Sequence, residues 1–326
     1  MPEVDGNAPR LLVYNEMREA QNRLTAEQRN LQGRVLVAAN VATLMASLHD
    51  LGHSFVDVKD ENVLVYPNVG SAAFIDCDGF RIDDGRGRTF PAELATPEYS
   101  SPEYARGAHP NQLGELHDRF ALAIILFKLL NYGIHPFQGR PVSQRLLNRN
   151  SFGTVDCIAE RLYPYGARRN PEIEPIRRSI HETWDTRTRA LFDRAFTSDR
   201  PEDRPKASEW ARHLRTIITE KGLSRCDQAP HDVEHLHFAN RPCHVCSIFL
   251  APTGGASSGG TGAGRRSGVS AGASSRSGAS SGPSIGASRP LPPGGGSPSG
   301  GSVAGSNLPP VPASKPSSGI GWIVAL

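Results

Sequence analysis

An excess of charge of one sign is missing from this chain: 36 Lys and Arg stand against 33 Asp and Glu in 326 residues. Without a basic excess there is no electrostatic footprint for nucleic acid, and no nucleic-acid partner is expected. No secretory signal opens the chain at Met1, and the five cysteines are an odd count. Together these argue against a disulfide framework and for a reducing compartment, where cysteines pack or bind metal, so a cytoplasmic location is expected. Apolar residues are nearly absent from about Pro252 to Gly319, a stretch of Gly, Ser, Pro and Ala with scattered Arg. That composition cannot bury enough apolar surface to offset its ordering entropy. Residues 251–326 are therefore expected to form a disordered tail, which leaves a foldable part from about residue 8 to 250. The closing Ile320 to Leu326 is apolar but far short of the about 20 residues that cross a bilayer, so membrane contact is expected only if a span follows Leu326.

The foldable part reads as mostly helical. Gly33 to Asp50 carries Val35, Leu36, Ala39, Leu44, Met45 and Leu48 at helical spacing, and Gly52 follows as a stop. Phe55 to Val58, Asn62 to Tyr66 and Ala72 to Asp76 read as short strands, the last two joined by the turn Pro67-Asn68-Val69-Gly70. Asp118 to Leu130 is apolar almost all round, as expected of a buried central helix. Two amphipathic stretches, Thr186 to Phe196 and Lys206 to Lys221, complete the pattern, the second closed by Gly222.

The residues with chemistry cluster after the first helix. Leu48-His49-Asp50-Leu51-Gly52 leads to Asp57-Val58-Lys59-Asp60-Glu61-Asn62, and a hairpin later comes Phe74-Ile75-Asp76-Cys77-Asp78-Gly79-Phe80. Ala95-Thr96-Pro97-Glu98-Tyr99-Ser100-Ser101-Pro102-Glu103 follows, then Asp118 at the buried helix, His135-Pro136-Phe137, and Arg204-Pro205 before the last helix. Taken alone, Asp57, Lys59 and Asn62 could be a polar turn with solvated charges. In this order the segments resemble the protein-kinase superfamily, with the first run similar to the catalytic loop usually written H-R-D-L-K-P-x-N and the second to the metal-binding D-F-G segment.

The resemblance implies an α+β fold: a mainly helical kinase C-lobe over residues 8–221 with a small catalytic hairpin. It implies ATP-dependent phosphoryl transfer to a protein hydroxyl, a reaction that depends on positioning and charge stabilisation. Asp57 would be the base, Lys59 would lie against the phosphoryl oxygens, and Asn62 with Asp76 would hold Mg²⁺ through hard oxygens. The metal-binding frame stays open between Asp76 and Asp78, with Asp76 preferred because Phe74 and Ile75 lead directly into it. Asp118 would orient the catalytic-loop backbone, and Glu103 would form a buried pair with Arg204 unless the two are unrelated surface charges. Lys59 and Thr96 resemble serine/threonine rather than tyrosine kinases.

Several features depart from that pattern. Phe55 and Val56 replace the usual His and Arg before the base, so neutralisation of an arginine by activation-loop phosphate is not expected. No G-x-G-x-x-G run and no V-A-I-K lysine precede Asp57. The nucleotide-covering N-terminal lobe is therefore expected to be missing, and this chain to be inactive as it stands, through a truncated or misassigned start. A pseudokinase scaffold is one alternative. An interaction adaptor is another, in which Leu308-Pro309-Pro310-Val311-Pro312 docks as polyproline II.

Cys226, Cys243 and Cys246 follow the last helix, with His231, His235 and His237 among them. Three thiolates and one imidazole make a closed structural Zn²⁺ site, expected over residues 222–250. His231 is taken as the fourth ligand on spacing, with His235 and His237 also within reach; a surface CxxC or a redox pair is the alternative. The D-x-D-G-F segment with a Cys/His knuckle resembles a bacterial kinase group found beside von Willebrand-type and metal-dependent phosphatase partners, which are implied by that resemblance alone.

Overall fold

A computed structural model describes residues 11–15, 24–66 and 71–249. The expected turn at Pro67 to Gly70, the tail with Leu308 to Pro312, and Ile320 to Leu326 lie outside the described residues. The fold is α+β, with helices around several two-stranded antiparallel pairings.

Helix α1 spans Leu31–Asp50. Asn30 caps it by accepting from the Gly33 N–H at 3.0 Å, satisfying one of the N–H groups a helix start leaves open. Glycine is required at 33, because a Cβ there would lie 2.1 Å from the Gln28 carbonyl oxygen. Val35, Ala39, Leu44, Met45 and Leu48 are buried as the spacing predicts, but Leu36 is 39% exposed. Among the described residues, α1 is the one helix long and apolar enough to cross a membrane. Its Val35, Val41, Ala42 and Met45 are fully buried in the common hydrophobic core, as in the central helix of a packed domain.

Strands β1, Val63–Tyr66, and β2, Ser71–Phe74, form the expected hairpin, with Val63 opposite Phe74 and Tyr66 opposite Ser71. The expected strand at Phe55 to Val58 is absent. The N–H groups of Phe55 and Val56 go to a buried carboxylate, and Val56 takes a positive φ of 33°. Neither N–H is free for a ladder, so only the single bridge between Ser54 and Arg81 forms.

Helix α2, Glu115–Leu130, is buried along almost its whole length. Helices α3, Thr186–Thr197, and α4, Ala207–Thr219, present Leu191, Phe192, Phe196, Trp210, Leu214 and Ile217 to the same core. Phe127 of α2 meets Phe192 at 5.0 Å and Trp184 at 5.1 Å in edge-on geometry, which favours unlike ring faces and edges.

Buried imidazoles in this interior, His117 and His181 among them, make stability depend on pH. Burial lowers His117 below its usual value against the opposing charge of Asp118, and burial lowers His181 to about 4. Both rings are neutral in the fold, whereas the unfolded chain binds protons near pH 6.5. The unfolded state therefore holds more protons as pH falls, and stability is lost from about pH 6.5 downward. Urea midpoints are expected to drop between pH 7 and pH 5, and His181→Gln is expected to remove part of that slope.

Candidate functional site

Asp118 sits in the first turn of α2 with no exposed surface. Its carboxylate accepts from the Phe55 N–H at 2.7 Å and the Val56 N–H at 2.9 Å, and lies 3.0 Å from His49 Nε2 at the end of α1. His117 meets the Val56 carbonyl at 3.0 Å and Ser101 Oγ at 3.1 Å. Two adjacent helix residues thus hold both the N–H and the carbonyl of Val56, and the next residue is Asp57.

Asp57 is 4% exposed. Thr96 donates its hydroxyl to one carboxylate oxygen at 2.6 Å, and Lys59 Nζ lies 2.5 Å from the other. The Asn62 amide donates to the Asp57 carbonyl at 3.1 Å and to its carboxylate at 3.2 Å. Both partners are acceptors, so the amide nitrogen must face Asp57 and the amide oxygen must face away. Opposite Asp57 stands Gly79, where a Cβ would approach the Asp57 Cβ to 2.7 Å. A bulkier residue would displace the acid.

Asp76 follows β2 by two residues. Ile75 donates its N–H to the Asn62 carbonyl at 3.0 Å, and Asp76 then turns into the left-handed region at φ 69°. Aspartate tolerates that conformation better than most residues with a Cβ. The hairpin end is therefore tied to Asn62, with Asp76 exposed beside it.

Arg204 is 2% exposed and one of its Nη atoms reaches both Glu103 oxygens, at 2.7 and 3.0 Å. The pair is half-buried rather than buried, because the Glu103 side chain keeps 34% exposure. Burial acts to raise the Glu103 carboxyl, but the hydrogen bond and charge of Arg204 outweigh it and hold the group below its usual range.

One feature gave no signal in the sequence. Asp60 has no exposed surface, and its carboxylate lies 2.6 Å from Lys128 Nζ and accepts from Asn15 Nδ2 at 2.6 Å. Lys128 also donates to the Tyr99 hydroxyl. A lysine in the last turn of an apolar helix ordinarily reads as a solvated end, and nothing in periodicity marks its partner.

Beyond α4, Cys226, His235, Cys243 and Cys246 place one candidate ligand atom each within 4.8 Å of the others. His231, assigned as fourth ligand on spacing, is exposed and outside this group. The turn Val233–His235 carries His235 to the thiols instead. His237 is also outside the group, its Nδ1 lying 2.9 Å from the Phe238 carbonyl.

No protein-family model matches the chain. Similarity to curated proteins is found. It is 27% identical over 255 residues to protein kinase YegI of Escherichia coli strain K12, covering 76% of this chain and 37% of that protein. To serine/threonine-protein kinase pkn3 of Myxococcus xanthus it is 29% identical over 208 residues, covering 61% of this chain and 34% of the relative. To serine/threonine-protein kinase PkaB of Streptomyces coelicolor it is 33% identical over 147 residues, covering 42% and 34%. The chain spans little more than a third of the length of the curated relatives it matches.

Proposed function

The chain belongs to the bacterial serine/threonine protein-kinase-like superfamily, and on that premise we propose that residues 11–221 form a catalytic lobe for ATP-dependent phosphoryl transfer to a protein serine or threonine hydroxyl. The observation that carries this reading is the Asp57 carboxylate, held between Thr96 and Lys59 with Asn62 on the same residue. That acid is fixed by three side chains, and its base function is to accept the hydroxyl proton as the new P–O bond forms and the bond from the γ-phosphorus to the bridging oxygen breaks, releasing ADP. Lys59 lies beside it, where its charge is available to the phosphoryl oxygens of the nucleotide. Asn62 turns its amide oxygen away from Asp57, and with the exposed Asp76 carboxylate it offers the hard oxygen donors that Mg²⁺ takes. Mg²⁺ bound there would neutralise charge on the phosphates.

Zn²⁺ in the Cys/His cluster is proposed as a second, structural cofactor, argued below on its own geometry. Transfer of labelled phosphate from ATP to a protein acceptor, measured on the native-length protein with and without Asp57→Asn, tests the catalytic reading. Loss of transfer in the variant is expected. If the native-length protein binds an ATP analogue but transfers nothing, the scaffold reading replaces this one.

A further inference from the structure

Residues 222–249 bury little apolar surface of their own. Apart from Phe238, their buried side chains are Cys226, His235 and His244. A segment this small needs a cross-link or a metal to hold a defined shape. Cys226, Cys243 and Cys246 are free thiols, and their spacing discriminates between the two. Cys226 Sγ and Cys246 Sγ lie 3.6 Å apart, against about 2.05 Å for a disulfide. His235 Nδ1 lies 3.8 Å from Cys243 Sγ and 3.4 Å from Cys246 Sγ. A tetrahedral ion with bonds of about 2.3 Å to sulfur and 2.0 Å to nitrogen has edges of about 3.8 Å between sulfurs and 3.5 Å between sulfur and nitrogen. The three separations lie close to those edges. Asp232 adds support from behind, with a carboxylate oxygen 3.7 Å from His235 Nε2, the side from which carboxylates orient metal-binding imidazoles.

We propose that Cys226, His235, Cys243 and Cys246 form a tetrahedral zinc centre that acts as a brace, fixing the loops that close over the start of α1. The inference stands independently of the phosphoryl-transfer reading. Three contacts leave the centre for the helical core. First, the His235 turn presents the Val233 carbonyl to Asn30 Nδ2 at 3.0 Å, on the same side chain that caps α1. Second, Glu234 pairs with Arg29 at 2.6 Å. Third, His244, between two of the ligands and fully buried, meets the Tyr132 hydroxyl at 2.9 Å.

The Tyr132 ring lies 4.1 Å from the Arg34 guanidinium carbon. Arg34 is fully buried and donates to the carbonyls of Arg29, Tyr14 and Leu129 at 2.8, 2.8 and 3.0 Å. A buried cation needs a fixed surround of acceptors and ring face to offset its desolvation. The metal supplies it by holding His244 and the turn in place. Without the ion, nothing ties the four ligand side chains to one centre, and the contacts onto Asn30, Arg29 and Tyr132 lose their support.

The test uses the full chain in two measurements. Elemental analysis of protein as isolated is expected to give about one zinc per chain, retained in His231→Ala and lost in His235→Ala. Hydrogen exchange is then followed with and without a zinc chelator. Chelation is expected to remove protection at residues 29–37 and 129–134 while the β1–β2 hairpin keeps its own. Tyr132→Phe, which leaves every ligand intact, is expected to keep zinc yet lose protection at the same residues. Protein isolated without zinc, or zinc loss in His231→Ala, overturns the ligand set. Unchanged exchange on chelation, or in zinc-loaded Tyr132→Phe, overturns the brace.

Discussion

Asp118→Ala is expected to lower the unfolding free energy by about 2 to 6 kcal/mol, because two buried backbone donors lose their acceptor at roughly 1 to 3 kcal/mol each. Those donors are the N–H groups of Phe55 and Val56, and no ladder takes them up. Val56 is held at φ 33°, a strained conformation for a β-branched residue that persists only while its surroundings impose it. The same substitution therefore releases the loop that carries Asp57. Asp118→Asn keeps an amide oxygen for one of the two N–H groups and is expected to lose only part of that stability. Urea denaturation with an unchanged slope separates a true stability change from a change in the unfolded state. An unaltered midpoint in Asp118→Ala would show that the two N–H groups find acceptors elsewhere.

The misread strand at Phe55 to Val58 comes from this same contact. Phe, Val and Val around one acid form a good β-rich alternation, and local pattern cannot register that a helix sixty residues later will claim the backbone donors. The β1–β2 hairpin and the all-apolar run of α2 were legible because burial on one or all sides leaves a periodic trace. Asp57, Lys59 and Asn62 were legible as a spaced set, though their contacts to Thr96 and Gly79 depend on the fold. The Cys/His cluster was legible as a residue inventory. Choosing His235 over His231 depends on the Val233–His235 turn, whose direction spacing does not encode. Leu36 fitted the apolar spacing of α1, yet it lies on the edge of the buried face.

Lys128→Met is expected to cost about 3 to 5 kcal/mol, the cost of removing one partner from a buried ion pair. The pair was invisible in the sequence, but its setting makes the size of the effect clear. Asp60 has no exposed surface, and one of its carboxylate oxygens, Oδ1, makes no hydrogen bond among the described residues. Its other oxygen relies on Lys128 and the Asn15 amide. Without the lysine, the charge stays in the interior with neutral donors alone. Asp60→Asn leaves Lys128 at 13% side-chain exposure, close enough to the surface for its stem to carry the ammonium toward water, so the smaller loss belongs to that variant. The double variant Asp60→Asn with Lys128→Met removes both charges and is expected to recover much of the stability lost in Lys128→Met alone. Lys128 also donates to Tyr99, three residues past Thr96, while Asp60 follows Lys59 directly. The pair thus fastens together the two segments whose side chains hold the Asp57 carboxylate. Phosphoryl transfer by the native-length protein is accordingly expected to fall with Lys128→Met and to return in the double variant. A double variant no more stable than Lys128→Met would mean that packing of the lysine stem, rather than its charge, accounts for the loss.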